Sequence, residues 1–172
     1  MTTILPRPPE PTHAPSGLMR KEQFQTGYVT NDLDRACELL RAKYGIGDYS
    51  YIEGEMGEGG SIRVAFAWVG GNMYEIIDAK GGAEAAFYTS RLPADGSFGL
   101  LFHHLGYMIH SDEEWAAVKA EIAERGMTVA LDLADPSFMD AIYIEAPELG
   151  HYLEYIYPHE GGLQFFGAIP AN

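Results

Sequence analysis

Two stretches of this chain carry the same order of elements at the same spacing. That repeat limits the possible folds more than any single motif does. "EQFQTGYVT" from Glu22 has the period of a strand, with Gln25, Gly27 and Val29 on one face and Phe24, Thr26 and Tyr28 on the other. "NDLDRACELLRAKYG" then reads as a helix, with Leu33, Cys37, Leu40 and Tyr44 on one apolar stripe. Asn31 is placed to cap its start, and Gly45 to stop it. Gly-rich breaks divide the next segment into strands near 48–54, 60–69 and 72–78. The order restarts at "LLFHHLGYMIH". A helix follows, with a Ser111–Glu114 capping box and a Trp115, Val118, Ile122 stripe, and then three more strands. Each half reads βαβββ. The expected fold class is therefore α+β, built from two tandem βαβββ modules at 22–78 and 100–158. A Pro-rich arm (1–21) precedes them, expected to be extended because proline fixes φ and removes donors. A linker (79–99) joins them, and a tail (159–172) follows.

Bulk properties narrow the function. The 172 residues are 47% hydrophobic, enough for a sizeable core. The formal net charge of −14 argues against nucleic acid and anionic membrane surfaces as partners, and leaves a small-molecule substrate as the expected one. Arg63 and Arg91 are the candidates to meet an anionic substrate locally. Cys37 is the only cysteine, so the chain forms no intrachain disulfide and holds no cysteine-rich zinc module; it reads as a small core residue. The N-terminus lacks an apolar secretory region, and no run reaches the roughly 18 apolar residues of a membrane span. The expectation is a cytoplasmic protein.

The spacing between the halves carries the chemistry. Gln25 lies 50 residues before Glu75, and His104 lies 50 before Glu154; both pairs are offset by 79. Gly71 precedes Glu75 by four, as Gly150 precedes Glu154. If the modules pack as pseudo-symmetric copies, Gln25, Glu75, His104 and Glu154 converge. Glu75 in "NMYEIIDA" and Glu154 in "HYLEYIY" sit among apolar residues, where an unpaired carboxylate is costly and calls for a cation or a hydrogen-bond partner. One nitrogen and three oxygen donors suit Zn²⁺, Ni²⁺, Co²⁺ or Mn²⁺. Taken alone, each of these residues has a plainer reading, as core or surface. His103 is expected to point away from His104 if the strand is regular, and to be a packing or surface residue. His110, His151 and His159 fall near element ends, and His13 in the arm. The aromatic strands "DYSYIEG", "VAFAWVG" and "DAIYIEA" read first as sheet core, with a pocket lining as the alternative.

The segments "FQTGYVTNDLDRA", "GGNMYEIIDA", "FHHLGYMIHSDEEWAAV" and "ELGHYLEYIYP" resemble signatures of the vicinal oxygen chelate superfamily, and within it glyoxalase I. The resemblance covers residues 22 to 158. It implies a cupped, mostly antiparallel eight-stranded sheet around one divalent ion held by Gln25, Glu75, His104 and Glu154. It implies a metal-dependent lyase or isomerase that transfers a proton through an enediolate or enolate, with Glu154 as base and Glu75 as ligand and acid–base partner. Glutathione would be the co-substrate in the glyoxalase case, and a homodimer the expected assembly. The alternatives are an epimerase or racemase of an acyl thioester, similar to methylmalonyl-CoA epimerase, and a drug-sequestering binding protein without catalysis. The epimerase pattern has glutamine at the second ligand position, so Glu75 leans towards the lyase. The extradiol dioxygenase pattern needs two histidines and one glutamate, and Gln25 departs from it.

Overall fold

The computed structural model describes residues 17–57 and 59–172. The first module comprises β1 (Glu22–Thr30), α1 (Leu33–Tyr44), β2 (Ser50–Met56), β3 (Gly60–Val69) and β4 (Asn72–Lys80). A short helix α2 (Ala85–Thr89) lies between the modules. The second comprises β5 (Leu100–Met108), α3 (Asp112–Glu124), β6 (Val129–Ala134), β7 (Met139–Ala146) and β8 (His151–Pro158), and α4 (Glu160–Ala168) follows. One eight-stranded mixed sheet runs β2-β3-β4-β1-β5-β8-β7-β6. Its two halves meet at the antiparallel β1–β5 pair, and within each half the first and last strands pair in parallel. The other pairs are antiparallel. Ile52 on one edge strand and Leu133 on the other line the same cavity, so the sheet curls into a cup.

Helices α1 and α3 cover the convex side. Leu33, Ala36, Cys37 and Leu40 of α1 pack on Ala65, Ala67 and Ile76, while Trp115, Val118 and Ile122 of α3 pack on Tyr107, Ile144 and Tyr155. Tyr44 departs from the expected stripe: it lies in the last turn of α1, beyond the packed face, and is 69% exposed. Asp32, not Asn31, caps α1, accepting a hydrogen bond from Arg35 N at 3.1 Å. Asn31 instead ties down the linker, accepting from Gly99 N at 3.0 Å and donating to Ser97 O at 2.7 Å. Ser111 caps α3 through Glu114 N at 3.1 Å, as its sequence expects.

Residues 1–16 of the Pro-rich arm lie outside the described residues. The end of the arm differs from the extended expectation: Leu18–Arg20 make one 3-10 turn, with Leu18 buried beside Tyr107 and Trp115. The tail is also more than an appendage. It crosses from the second module to the first, where Trp68 Nε1 donates to Phe166 O at 3.2 Å. The Asn172 carboxamide then accepts from Gly47 N and Asp48 N at 2.8 and 2.9 Å. Among the described residues, no helix is long and apolar enough to cross a membrane.

Candidate metal centre

Strand register assembles the site. Gly27 of β1 stands between Glu75 of β4 and His104 of β5, and Gly106 of β5 stands between Gln25 of β1 and Glu154 of β8. The two arrangements are related by the offset of 79 residues. Each glycine makes room for the ligand candidate across from it. A Cβ on Gly27 would overlap the His104 imidazole, and one on Gly106 would overlap the Gln25 side-chain oxygen. These glycines are the functional positions the spacing argument overlooked. The signal was present, since each lies two residues after its module's first ligand candidate.

Glu75, His104 and Glu154 meet in the cup, each able to offer one ligand atom within 4.8 Å of the others'. His104 Nε2 lies 3.0 Å from Glu75 Oε2 and 3.1 Å from Glu154 Oε2. Gln25 lines the same cavity, and all four side chains are buried. Yet Gln25 Oε1, Glu75 Oε2, His104 Nε2 and Glu154 Oε2 have no hydrogen-bond partner of good geometry. Four buried polar atoms without a well-aligned hydrogen bond around one point are costly unless a proton on His104 or a cation joins them. Two carboxylates, one neutral imidazole and one amide sum to the charge a divalent ion cancels. The residues present therefore fit such an ion. No other group of three or more acidic, His or Cys side chains with this geometry occurs among the described residues.

The electrostatics follow from burial. Desolvation alone would lower the His104 pKa, but the Glu154 and Glu75 carboxylates override it and raise it to about 10. Desolvation raises the Glu75 pKa, the contact with His104 opposes this, and repulsion from Glu154 adds to it. Metal binding needs the bare Nε2 of His104, which is protonated at neutral pH when no metal is bound. Zn²⁺ binding should therefore tighten as pH rises towards 10 and release about one proton from this group. Calorimetry in buffers of different ionisation enthalpy measures that proton; uptake of protons on binding would contradict the scheme.

His103 corrects the expectation from strand alternation. The β1–β5 register shifts between Gly27 and Tyr28, leaving His103 as the extra residue of a β-bulge. The bulge brings both histidines to the same side of the strand. His103 Nδ1 lies 3.0 Å from His104 Nδ1, and its Nε2 lies 3.3 Å from Phe87 O. His103 is 1% exposed, and desolvation, followed by the neighbouring His104, lowers its pKa to about 3. A second register shift leaves Phe24 as the extra residue before Gln25. Phe24 thus also leaves its expected face and packs on Phe166 at 5.9 Å between ring centroids.

The cavity over the carboxylates has a volume of about 150 Å³. Tyr88 and Tyr143 bring hydroxyls to it, and Phe165 and Phe166 of α4 contribute aromatic walls. Burial, followed by the Glu154 charge, holds the Tyr143 pKa well above its ordinary value, so its hydroxyl stays protonated. Neither arginine singled out from the sequence lines this cavity. Arg63 is tied to Glu53 and Asp34 at 2.9 and 3.1 Å. Arg91 donates to Gly150 O at 2.7 Å and lies over the Tyr152 ring. A larger hollow, about 730 Å³, opens beneath α1 among Leu40, Tyr44, Tyr74 and Phe98. Despite its size it gathers no carboxylate or imidazole; those groups collect at the smaller cavity.

No family model and no curated protein matches the chain. Solved structures do. Methylmalonyl-CoA epimerase from Streptomyces coelicolor, in complex with 2-nitronate-propionyl-CoA, aligns with a TM-score of 0.57 at 16% identity, covering 81% of this chain and 96% of that one. The Mycobacterium tuberculosis methylmalonyl-CoA epimerase aligns with a TM-score of 0.55 at 15% identity, covering 86% and 92%. A variant of 4-hydroxymandelate synthase from Streptomyces coelicolor aligns with a TM-score of 0.58 at 18% identity, covering 81% of this chain and 49% of that one. The chain has the vicinal oxygen chelate fold that these proteins share.

Proposed function

We propose that this chain is a divalent-metal-dependent enzyme that moves a proton at a carbon beside a chelated substrate oxygen, in the manner of an epimerase. The observation that carries the reading is the pair of buried carboxylates, Glu75 and Glu154, placed 3.0 and 3.1 Å from the same imidazole nitrogen. Inverting a carbon needs one group to take a proton from one face and another to deliver one to the other. A divalent ion held by Gln25, Glu75, His104 and Glu154 would supply Lewis acidity, making the C–H beside a chelated carbonyl more acidic. Glu75 is the partner that delivers a proton to one face, loosening from the ion to do so. Glu154 first takes the proton from the opposite face, with the neutral Tyr143 beside it in register. The largely apolar walls suit a small reacting group. Any carrier such as a CoA moiety stays outside.

Glyoxalase-type transfer between adjacent carbons is the second reading. It is favoured by a carboxylate at position 75, where the resembling epimerase pattern has glutamine. Two assays on the metal-loaded protein separate them: deuterium exchange into methylmalonyl-CoA, and turnover of the hemithioacetal of glutathione and methylglyoxal. Elemental analysis comes first. About one divalent ion per chain, lost in His104→Ala, supports both enzyme readings. Absence of metal under every loading condition sinks both and leaves a binding protein.

The α4 wall gives a specificity prediction. Phe165 packs on Phe66 and Phe138 at 5.1 and 5.6 Å between centroids. Phe165→Ala should raise kcat/KM for an acyl chain one methylene longer, relative to the parent substrate, by about tenfold or more. An unchanged ratio would remove α4 from the substrate wall.

A further inference from the structure

We propose that His103 is a positioning residue that holds His104 in the one orientation and tautomer that presents its Nε2 to the metal centre. The inference rests on the metal-centre reading above. It follows from counting donors and acceptors along a buried chain of three groups. The Phe87 carbonyl can only accept, so the 3.3 Å contact places a proton on His103 Nε2. A neutral His103 then has a bare Nδ1. The 3.0 Å separation between the two Nδ1 atoms requires one proton between them, and His104 must supply it. With its proton on Nδ1, His104 turns Nε2 towards Glu75 Oε2 and Glu154 Oε2, as a ligand must.

The anchor belongs to the segment between the modules. Phe87 lies in α2, a helix of five residues. The turn bonds here run from Ser90 N to Ala86 O and from Leu92 N to Thr89 O, which leaves the Phe87 carbonyl available to His103. The β-bulge makes the relay possible, because in a regular strand the adjacent side chains would point to opposite faces. Ring packing alone does not call for histidine. His103 is enclosed by Phe87 and Tyr152, with centroids at 5.0 and 4.9 Å, and phenylalanine offers the same rings a similar surface. Only the two nitrogens distinguish the residues.

The test uses the full chain with two readouts. Nitrogen-15 NMR of the imidazoles in metal-free protein should show His103 protonated at Nε2 and bare at Nδ1, and His104 protonated at Nδ1. His103 protonated at Nδ1 overturns the proposal. Competition with a chelating dye gives the Zn²⁺ affinity of folded variants. His103→Phe should bind Zn²⁺ about 10–100-fold more weakly, the usual effect of removing a ligand's hydrogen-bond partner. His103→Asn, whose amide oxygen falls where Nδ1 stands and can accept from His104, should recover most of that loss. Parent-like affinity in His103→Phe overturns the proposal, as does an equal loss in both variants. If the parent binds neither Zn²⁺ nor Co²⁺, the metal reading fails by itself, and the NMR result still decides whether His103 sets the tautomer.

Discussion

Alanine at Gly27 is expected to dismantle the centre without touching any proposed ligand. The new methyl would occupy the space of the His104 ring, which is fully buried. Overpacking of this kind costs about 1–3 kcal/mol. For a chain of this size, calorimetry should show a fall in Tm of about 2–4 °C per kcal/mol. Zn²⁺ affinity should drop in parallel, because the imidazole cannot keep both its Nδ1 and its Nε2 contacts. Gly106→Ala should behave alike through Gln25. Gly54→Ala, on β2 with nothing within 4 Å of the added carbon, should change neither property. A Gly27→Ala protein with parent-like Tm and affinity would refute the register argument.

The second large effect concerns the carboxylates. Glu154→Gln and Glu75→Gln should each lower epimerisation by about 10²–10⁴-fold, the range expected for removing a positioned acid or base. The more telling result is asymmetric. In D₂O, each variant should retain solvent exchange from one stereoisomer of the substrate and lose it from the other. Each remaining carboxylate still reaches its own face. Metal content, measured on the same samples, separates lost proton transfer from a lost ion. Loss of exchange from both stereoisomers in one variant, with full exchange in the other, points to a single base and overturns the two-face assignment.

Much of this architecture is written in local patterns. Strand alternation and helical stripes depend on neighbours in sequence, so the βαβββ order could be read twice. A centre between two related modules needs only equal spacing, and the 25–75 and 104–154 intervals supply it. Other features resist such reading for physical reasons. α4 is short and carries Gly161, Gly162 and Gly167, which weaken any helical signal. Its place at the cavity depends on Phe165 and Phe166 finding Phe66 and Phe24 far earlier in the chain. The choice of Asp32 over Asn31 as cap depends on the linker, which takes Asn31 for itself.

The sequence by itself determined the two modules, their order and the four polar residues at matched positions, because periodicity and spacing are properties of the chain alone. The tertiary structure alone decided the contacts each polar atom makes at the centre, and that His103 shares a side of the strand with His104. Those outcomes rest on cross-strand register. A single extra residue opposite Gly27 redirects a side chain, and that extra residue is defined only once β1 and β5 have paired.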